Sequence, residues 1–187
     1  MSRFSSVLDR EQAFQSLYGA VYPDLIRFVQ RRGYADQAED IAADAFLVVW
    51  RRLEDVPQAA GDARAWIFGI TRNILLNNQR GEQRRQALGV RLGEVVSGSQ
   101  ADAAADLAAS RADLSRAWRL LSEVHQEALG LAVFEDLTAS EAASVLGISP
   151  VAYRLRLSRA RRTLRLFLEH LPEQAAEPAV VYGRTMS

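Results

Sequence analysis

The stretch LTASEAASVLGISPVAYRLRLSRARRTLR, running from Leu137 to Arg165, reads as two helices joined by a tight turn. Thr138 followed three residues later by Glu141 forms a capping box, so a helix starts there. Ala142, Val145 and Leu146 give that helix an apolar face. Gly147 can adopt the left-handed conformation that ends it. Ser149 caps a second helix with Pro150 at its first position, where a missing N–H costs nothing. Tyr153, Leu157, Ala160 and Leu164 recur at spacings of four, three and four and form its buried stripe. Arg154, Ser158, Arg161 and Arg165 make another stripe, flanked by Arg156, Arg159 and Arg162. The plain alternative is a solvated arginine face on an ordinary surface helix. A surface helix, however, has no need of the paired caps and the turn before it. Together they match a helix-turn-helix whose second helix enters the DNA major groove.

The rest of the 187-residue chain allows one domain or two small ones. It has no Cys, which excludes a disulfide framework, a thiol nucleophile and a zinc finger. His125 and His170 stand far apart without ligand-like spacing, so no metal is expected. No apolar run is long enough to span a bilayer, and Met1 to Ser6 lack the apolar core of a signal peptide. A cytoplasmic protein without cofactor is the expectation. Net charge is zero, but the charge is segregated. Residues 1–63 carry seven Arg and ten acids, net −3, and residues 64–91 carry six Arg and one acid, net +5. Residues 92–149 carry three Arg and nine acids, net −6, while 150–171 carry six Arg and one acid, net +5. Local field rather than net charge governs phosphate binding, so two basic blocks remain candidates. The basic residues are all Arg, which reflects composition more than function.

Almost everything reads helical. One helix is expected over Glu11–Val21, and another from Pro23 to Arg32, ended by Gly33. Asp36 with Glu39 suggests a further capping box, starting a helix to Leu53 with Ile41, Ala45, Val48 and Val49 inward. After a loop at 54–61, Asp62 is expected to cap a long helix from Ala63 to Arg80 or beyond. Residues 89–106 are rich in Gly, Ser, Ala and Asp and read as a linker. Helices over 107–121 and 122–134 lead into the helix-turn-helix, and the tail from Pro172 reads as disordered. The expected architecture is all-α, with two small helical domains at 1–88 and 107–171, a linker at 89–106 and a tail at 172–187.

The helix at 63–85 mixes aromatics, amides and arginine. Aromatic and guanidinium planes stack on exposed bases and amides read base edges, which suits melted DNA. Trp66 and Ile70 read as core. Arg72, Asn73, Asn77, Arg80, Arg84 and Arg85 read as nucleic-acid contacts.

Residues 10–168 resemble, as a whole, the small two-domain sigma factors of bacterial RNA polymerase, the extracytoplasmic-function (ECF) group. The stretch AEDIAADAFLVVWRR from Ala38 looks like that family's core-polymerase-binding helix. RAWIFGITRN from Arg64 looks like its promoter-melting helix, and LSEVHQEAL from Leu121 with the helix-turn-helix looks like its C-terminal region. The resemblance implies that Glu39, Asp40, Asp44 and Phe46 dock on the clamp helices of the largest polymerase subunit. It implies that Arg64, Arg72, Asn73, Asn77, Arg80 and Arg84 meet the minus-ten element, with the loop at Asp55–Asp62 trapping a flipped base. Ser149, Arg154, Arg156, Ser158, Arg159, Arg161 and Arg162 would meet the minus-thirty-five element; which of these Arg read bases and which hold phosphates stays open. Tyr153 and Leu155 depart from the family pattern and mark where promoter preference would be set. Leu155 would contact a thymine methyl or be covered by a partner.

The implied partners are core polymerase, promoter DNA and an anti-sigma protein, with a monomeric free chain. A further expectation is that linker and tail let the two domains pack and mask both basic blocks. The rival reading is a stand-alone regulator binding a palindrome as a dimer. An enzyme has little support, because no Ser–His, His–carboxylate or metal constellation appears.

Overall fold

The computed structural model describes residues 4, 6–81 and 104–170, with side chains described as far as 78 in the first stretch and from 110 in the second. Among these residues there are seven α-helices and no strand, the all-α class expected. They are α1 (Val7–Gln30), α2 (Ala38–Arg51), α3 (Ala60–Gly81), α4 (Ala104–Leu120), α5 (Glu123–Val133), α6 (Ala139–Leu146) and α7 (Pro150–His170). Short 3₁₀ turns occupy Ala35–Gln37 and Leu53–Asp55. Most of the 89–106 linker and all of the 172–187 tail lie outside the described residues; α4 begins within the last three linker positions.

α1 corrects the expected break at Pro23, since one helix runs straight through it. Proline removes the bond to the carbonyl four residues back, here that of Gly19. Both residues are solvent-exposed, so water can satisfy that carbonyl. Beyond the proline, Leu25, Phe28 and Val29 are buried and hold the helix to the core. The expected capping box at Asp36 and Glu39 is also absent. The 3₁₀ turn takes up Asp36, and α2 starts after Gln37 with no side-chain cap. Asp62 is likewise not a cap; it lies in the first turn of α3, which begins two residues earlier than Asp62.

The helix-turn-helix forms as read. Thr138 Oγ1 accepts from the Glu141 N–H at 3.3 Å, and Glu141 Oε2 accepts from the Thr138 N–H at 2.7 Å. Gly147 is left-handed at φ 66°. Ser149 Oγ accepts from the Ala152 N–H at 3.2 Å and caps α7. Gln126 bridges α4 to α5 by donating to the carbonyls of Trp118 (2.9 Å) and Leu121 (3.2 Å).

The two helical units are docked, and one apolar core runs across both. Leu25, Phe28, Ile41, Val49, Ile67, Phe68 and Leu75 from α1–α3 join Ala128, Leu131, Ala142, Val145 and Tyr153 from α5–α7. A smaller cluster of Trp118, Leu121, Leu129 and Ala160 fixes α4 and α5 to α7. The close approach is between α3 and α6. A Cβ on Gly69 would sit 3.8 Å from the Val145 Cα, so the helix backbones nearly touch there. A methyl group fits that space in ordinary contact. At the head of α3, a Cβ on Gly61 would collide with the Glu141 carboxylate.

Candidate nucleic-acid interface

α7 carries the densest positive charge. Its buried stripe, Tyr153 and Ala160 with half-buried Leu157 and Leu164, turns the opposite face to solvent. There Arg154, Ser158, Arg161, Arg162 and Arg165 line one open groove with the edge of Leu157. Four guanidiniums along one face present forked donors suited to phosphate oxygens and guanine edges. Arg165 therefore joins the expected residues. Arg159 is exposed and Arg156 half-buried, and neither lines this groove. Ser149 is exposed, and its hydroxyl is engaged in capping.

Tyr153 and Leu155 separate. Leu155 is 55% exposed beside the groove face. Tyr153 is 1% exposed, and its hydroxyl donates to the Ala128 carbonyl at 2.9 Å. Burial also raises the phenol above its usual pKa, so it stays a neutral donor. Tyr153 is thus a core tie between α7 and α5 and does not line the groove. Tyr153→Phe should lower stability by about 0.5–1.5 kcal/mol through loss of that hydrogen bond, measured by urea denaturation, and leave DNA sequence preference unchanged.

α3 holds the second set. Asn73 and Asn77 are exposed on it. Arg80 belongs to the helix, with its side chain outside the described set, and Arg84 lies outside the described residues. Arg64 and Arg72 are half-buried and already engaged. Arg64 donates through Nε to Asp24 Oδ2 at 2.9 Å and through Nη1 to the Glu135 carbonyl at 2.7 Å. Arg72 grips Glu127 with both prongs of its fork, Nε to Oε1 at 2.5 Å and Nη2 to Oε2 at 3.1 Å.

These contacts belong to a larger ionic seam. Glu135, 1% exposed, receives Arg31 at 3.2 and 3.4 Å and lies 3.8 Å from Arg32. Arg32 is fully buried, and burial pushes its guanidinium down to about 10, with Glu135 the main opposing influence. It remains ionised at neutral pH. Its Nη1 donates to the Phe28 carbonyl at 2.9 Å, while Nε and Nη2 have no hydrogen-bond partner among the described residues; a ring and a carboxylate add to that one bond. The guanidinium lies 3.4 Å from the Phe28 ring centre. Phe28 stacks on Phe68 at 4.7 Å, and Arg64 covers the far face of the pair, 4.7 Å from Phe68. The two outer members of this four-part stack both hold Glu135, one through its carboxylate and one through its carbonyl.

Neither Glu127, Glu135, Arg31 nor Arg32 stood out in the sequence as a functional residue. The available signal was the −6 block at 92–149 facing the +5 block at 64–91. Of the two basic blocks expected to be masked, the described residues show Arg64 and Arg72 of α3 engaged and the α7 groove uncovered. Most of the linker, the tail and the rest of the first block lie outside the described residues.

The acidic face of α2 presents Glu39, Asp40 and Asp44 to solvent. Phe46 does not join them. It is 3% exposed among Phe14, Tyr18 and Tyr22, with the Tyr18 ring 4.6 Å away. The apolar groups a partner could reach on this side are Leu47, 54% exposed, and Tyr18, 39% exposed.

Comparison with known proteins follows the same division. The family Sigma-70 region 2 matches residues 17–85, and Sigma-70, region 4 matches residues 111–164. The ECF RNA polymerase sigma factor SigL of Mycobacterium tuberculosis is 30% identical over 176 residues, covering 91% of this chain and 98% of SigL. The ECF RNA polymerase sigma factor RpoE of Cereibacter sphaeroides is 29% identical over 151 residues, covering 79% and 83%. Among solved structures, the sigma factor RpoE bound to the anti-sigma factor NepR from Bartonella quintana superposes with a TM-score of 0.60 at 22% identity, covering 84% of this chain and 97% of that one. CnrH bound to the cytosolic domain of CnrY gives a TM-score of 0.56 at 22% identity, covering 85% and 89%. These two likenesses show the fold.

Proposed function

The chain belongs to the ECF group of RNA polymerase sigma factors, and on that premise we propose that it docks on core polymerase through α2, grips minus-ten DNA with α3 and holds the minus-thirty-five element with α7. It performs no catalysis of its own; it selects and helps open promoters for the polymerase. The observation that carries this reading is the open arginine groove on α7, set behind a fully formed helix-turn-helix. The acidic face of Glu39, Asp40 and Asp44, flanked by exposed Leu47, suits a basic partner surface with an apolar centre. Two region-level matches in family order, and a relative aligned over 91% of the chain, speak against the dimeric regulator. No helix among the described residues is long and apolar enough to cross a membrane. The reading places the chain in the cytoplasm, monomeric when free, under an anti-sigma protein.

The test is transcription by purified core polymerase with and without the chain, followed by sequencing of transcript 5′ ends. Initiation from a defined promoter set supports the reading. No chain-dependent transcripts, together with no co-purification with core, would remove it. Arg154→Ala should weaken cognate duplex binding by about 1–3 kcal/mol if that side chain reads a base. Arg159→Ala, outside the groove, should cost less. Fluorescence anisotropy on cognate and scrambled duplexes separates the cases, since a phosphate contact is lost equally on both.

A further inference from the structure

The side of α7 that points away from its core is apolar where the helix begins. Tyr153 and Ala160 are the buried residues of α7. At about 100° per residue, Val151 and Leu155 fall on either side of the pole opposite Tyr153. Val151 is 60% exposed and Leu155 55% exposed, and Ala152 beside them is exposed too. Being four residues apart on one helix, they have Cβ atoms about 5–6 Å from each other. Guanidiniums surround the pair. Arg154 and Arg162 belong to the groove on one flank, and Arg159 is exposed on the other. In the first two turns the exposed hydrogen-bonding side chain is Arg154, with Arg156 half-buried and the Ser149 hydroxyl engaged in capping.

We propose that Leu155 and Val151 read the C5-methyl groups of thymine in the minus-thirty-five element, so that α7 prefers a site with neighbouring thymines beside the groups its arginines hold. The proposal rests on the sigma-factor reading and names what α7 distinguishes. In a helix-turn-helix the N-terminal residues of the second helix meet base edges, and Val151 and Leu155 stand in the first two turns of α7. On the major-groove edge of the bases, the methyl group of thymine is the apolar feature; cytosine presents a bare ring carbon there and an amino donor beside it. An aliphatic side chain neither donates nor accepts a hydrogen bond. Pressed against the polar edge of guanine, adenine or cytosine, it strips water and returns nothing. Against thymine it buries methyl on methyl. The arginines around the pair decide the occupant. They favour a polyanion, and duplex DNA is a polyanion whose groove floor carries methyl groups. What is read is the methyl group itself, so 5-methylcytosine is accepted where cytosine is not.

The test begins with the full chain and a randomised duplex library, from which its preferred sequence is recovered. Each thymine of that duplex is then replaced in turn by deoxyuridine, which deletes one methyl group and leaves base pairing intact. Fluorescence anisotropy should show a loss of about fourfold at one or two positions, the value of burying one methyl group. Cytosine at those positions should bind at least as weakly, and 5-methylcytosine should recover about fourfold over cytosine. Leu155→Ala and Val151→Ala should each erase the deoxyuridine effect at one thymine, and circular dichroism verifies that both variants fold. Leu166→Ala, at an exposed leucine about three turns further along α7, should keep the wild-type effect. A library that yields no preferred sequence overturns the proposal. So does the absence of a deoxyuridine effect at every thymine, or an effect that survives in both variants. Variants that bind each duplex as the wild type does but fail to retain core polymerase also overturn it, because the pair would then serve a protein. The binding measurements need no polymerase. Methyl reading in a chain that initiates no transcription removes the sigma-factor reading alone, and transcription by a chain indifferent to deoxyuridine removes this proposal alone.

Discussion

Phe68→Ala should lower the unfolding free energy by about 3–5 kcal/mol, the range for deleting a fully buried aromatic ring. Phe68 is completely buried and stacks on Phe28 with the ring planes 18° apart. Its neighbours are poorly placed to fill the gap. Arg64 and Arg32 cap the two ends of the stack, and a guanidinium cannot follow into an apolar hole without losing the anion it holds. The loss therefore combines buried area, a cavity and a weakened platform for both arginines. A domain of this kind has a total stability of about 5–15 kcal/mol, so the variant should be close to unfolding at growth temperature. Urea titration followed by circular dichroism measures the change. A loss below about 1 kcal/mol would mean the four-part stack is not the base of the docked interface.

The same stack shows which parts of the molecule the sequence discloses. The helix-turn-helix was readable to single residues because each of its signals acts over a few positions: Thr138 with Glu141, Gly147 in its left-handed turn, Ser149 before Pro150. At Pro23 and at Asp36 the local preference for a break and for a cap is outweighed. In the first case the winner was burial of Leu25, Phe28 and Val29, and in the second a 3₁₀ turn that took up the capping residue. The resemblance places Phe46 on a partner surface, yet its packing among three α1 aromatics turns it inward. The ionic seam lay beyond local reading altogether. Arg31 and Glu135 are 104 residues apart, and Arg72 and Glu127 are 55 apart; no periodicity connects them. What the sequence did carry was a charge imbalance between adjacent blocks. The imbalance suggested a polyanionic partner, and in the closed chain an internal partner answers part of it.

Duplex binding by the free chain should fall about a hundredfold between about 50 and about 200 mM salt. The expectation follows from counterion release, in which the logarithmic slope is about −0.9 for each phosphate neutralised. Four arginines line the α7 groove, so about four phosphates give a slope near −3.6. Arg64 and Arg72 should add little, because Glu135, Asp24 and Glu127 already hold them. The zero net charge of the chain sharpens the test. A protein without net charge has no long-range attraction of its own to DNA, so a steep slope reports the local groove. Replacing Arg154, Arg161, Arg162 or Arg165 by Gln should flatten the slope by about one unit if that residue holds a phosphate. A residue that reads a base edge should instead lose affinity on its cognate sequence far more than on a scrambled one. A flat salt response in the wild type would show that the groove does not face DNA. A slope well beyond −4 would show that α3 also engages, and hence that the seam is open in the free chain. Anisotropy titrations on one duplex at a few salt concentrations therefore report both which helix is bound and whether the two units are docked while it binds.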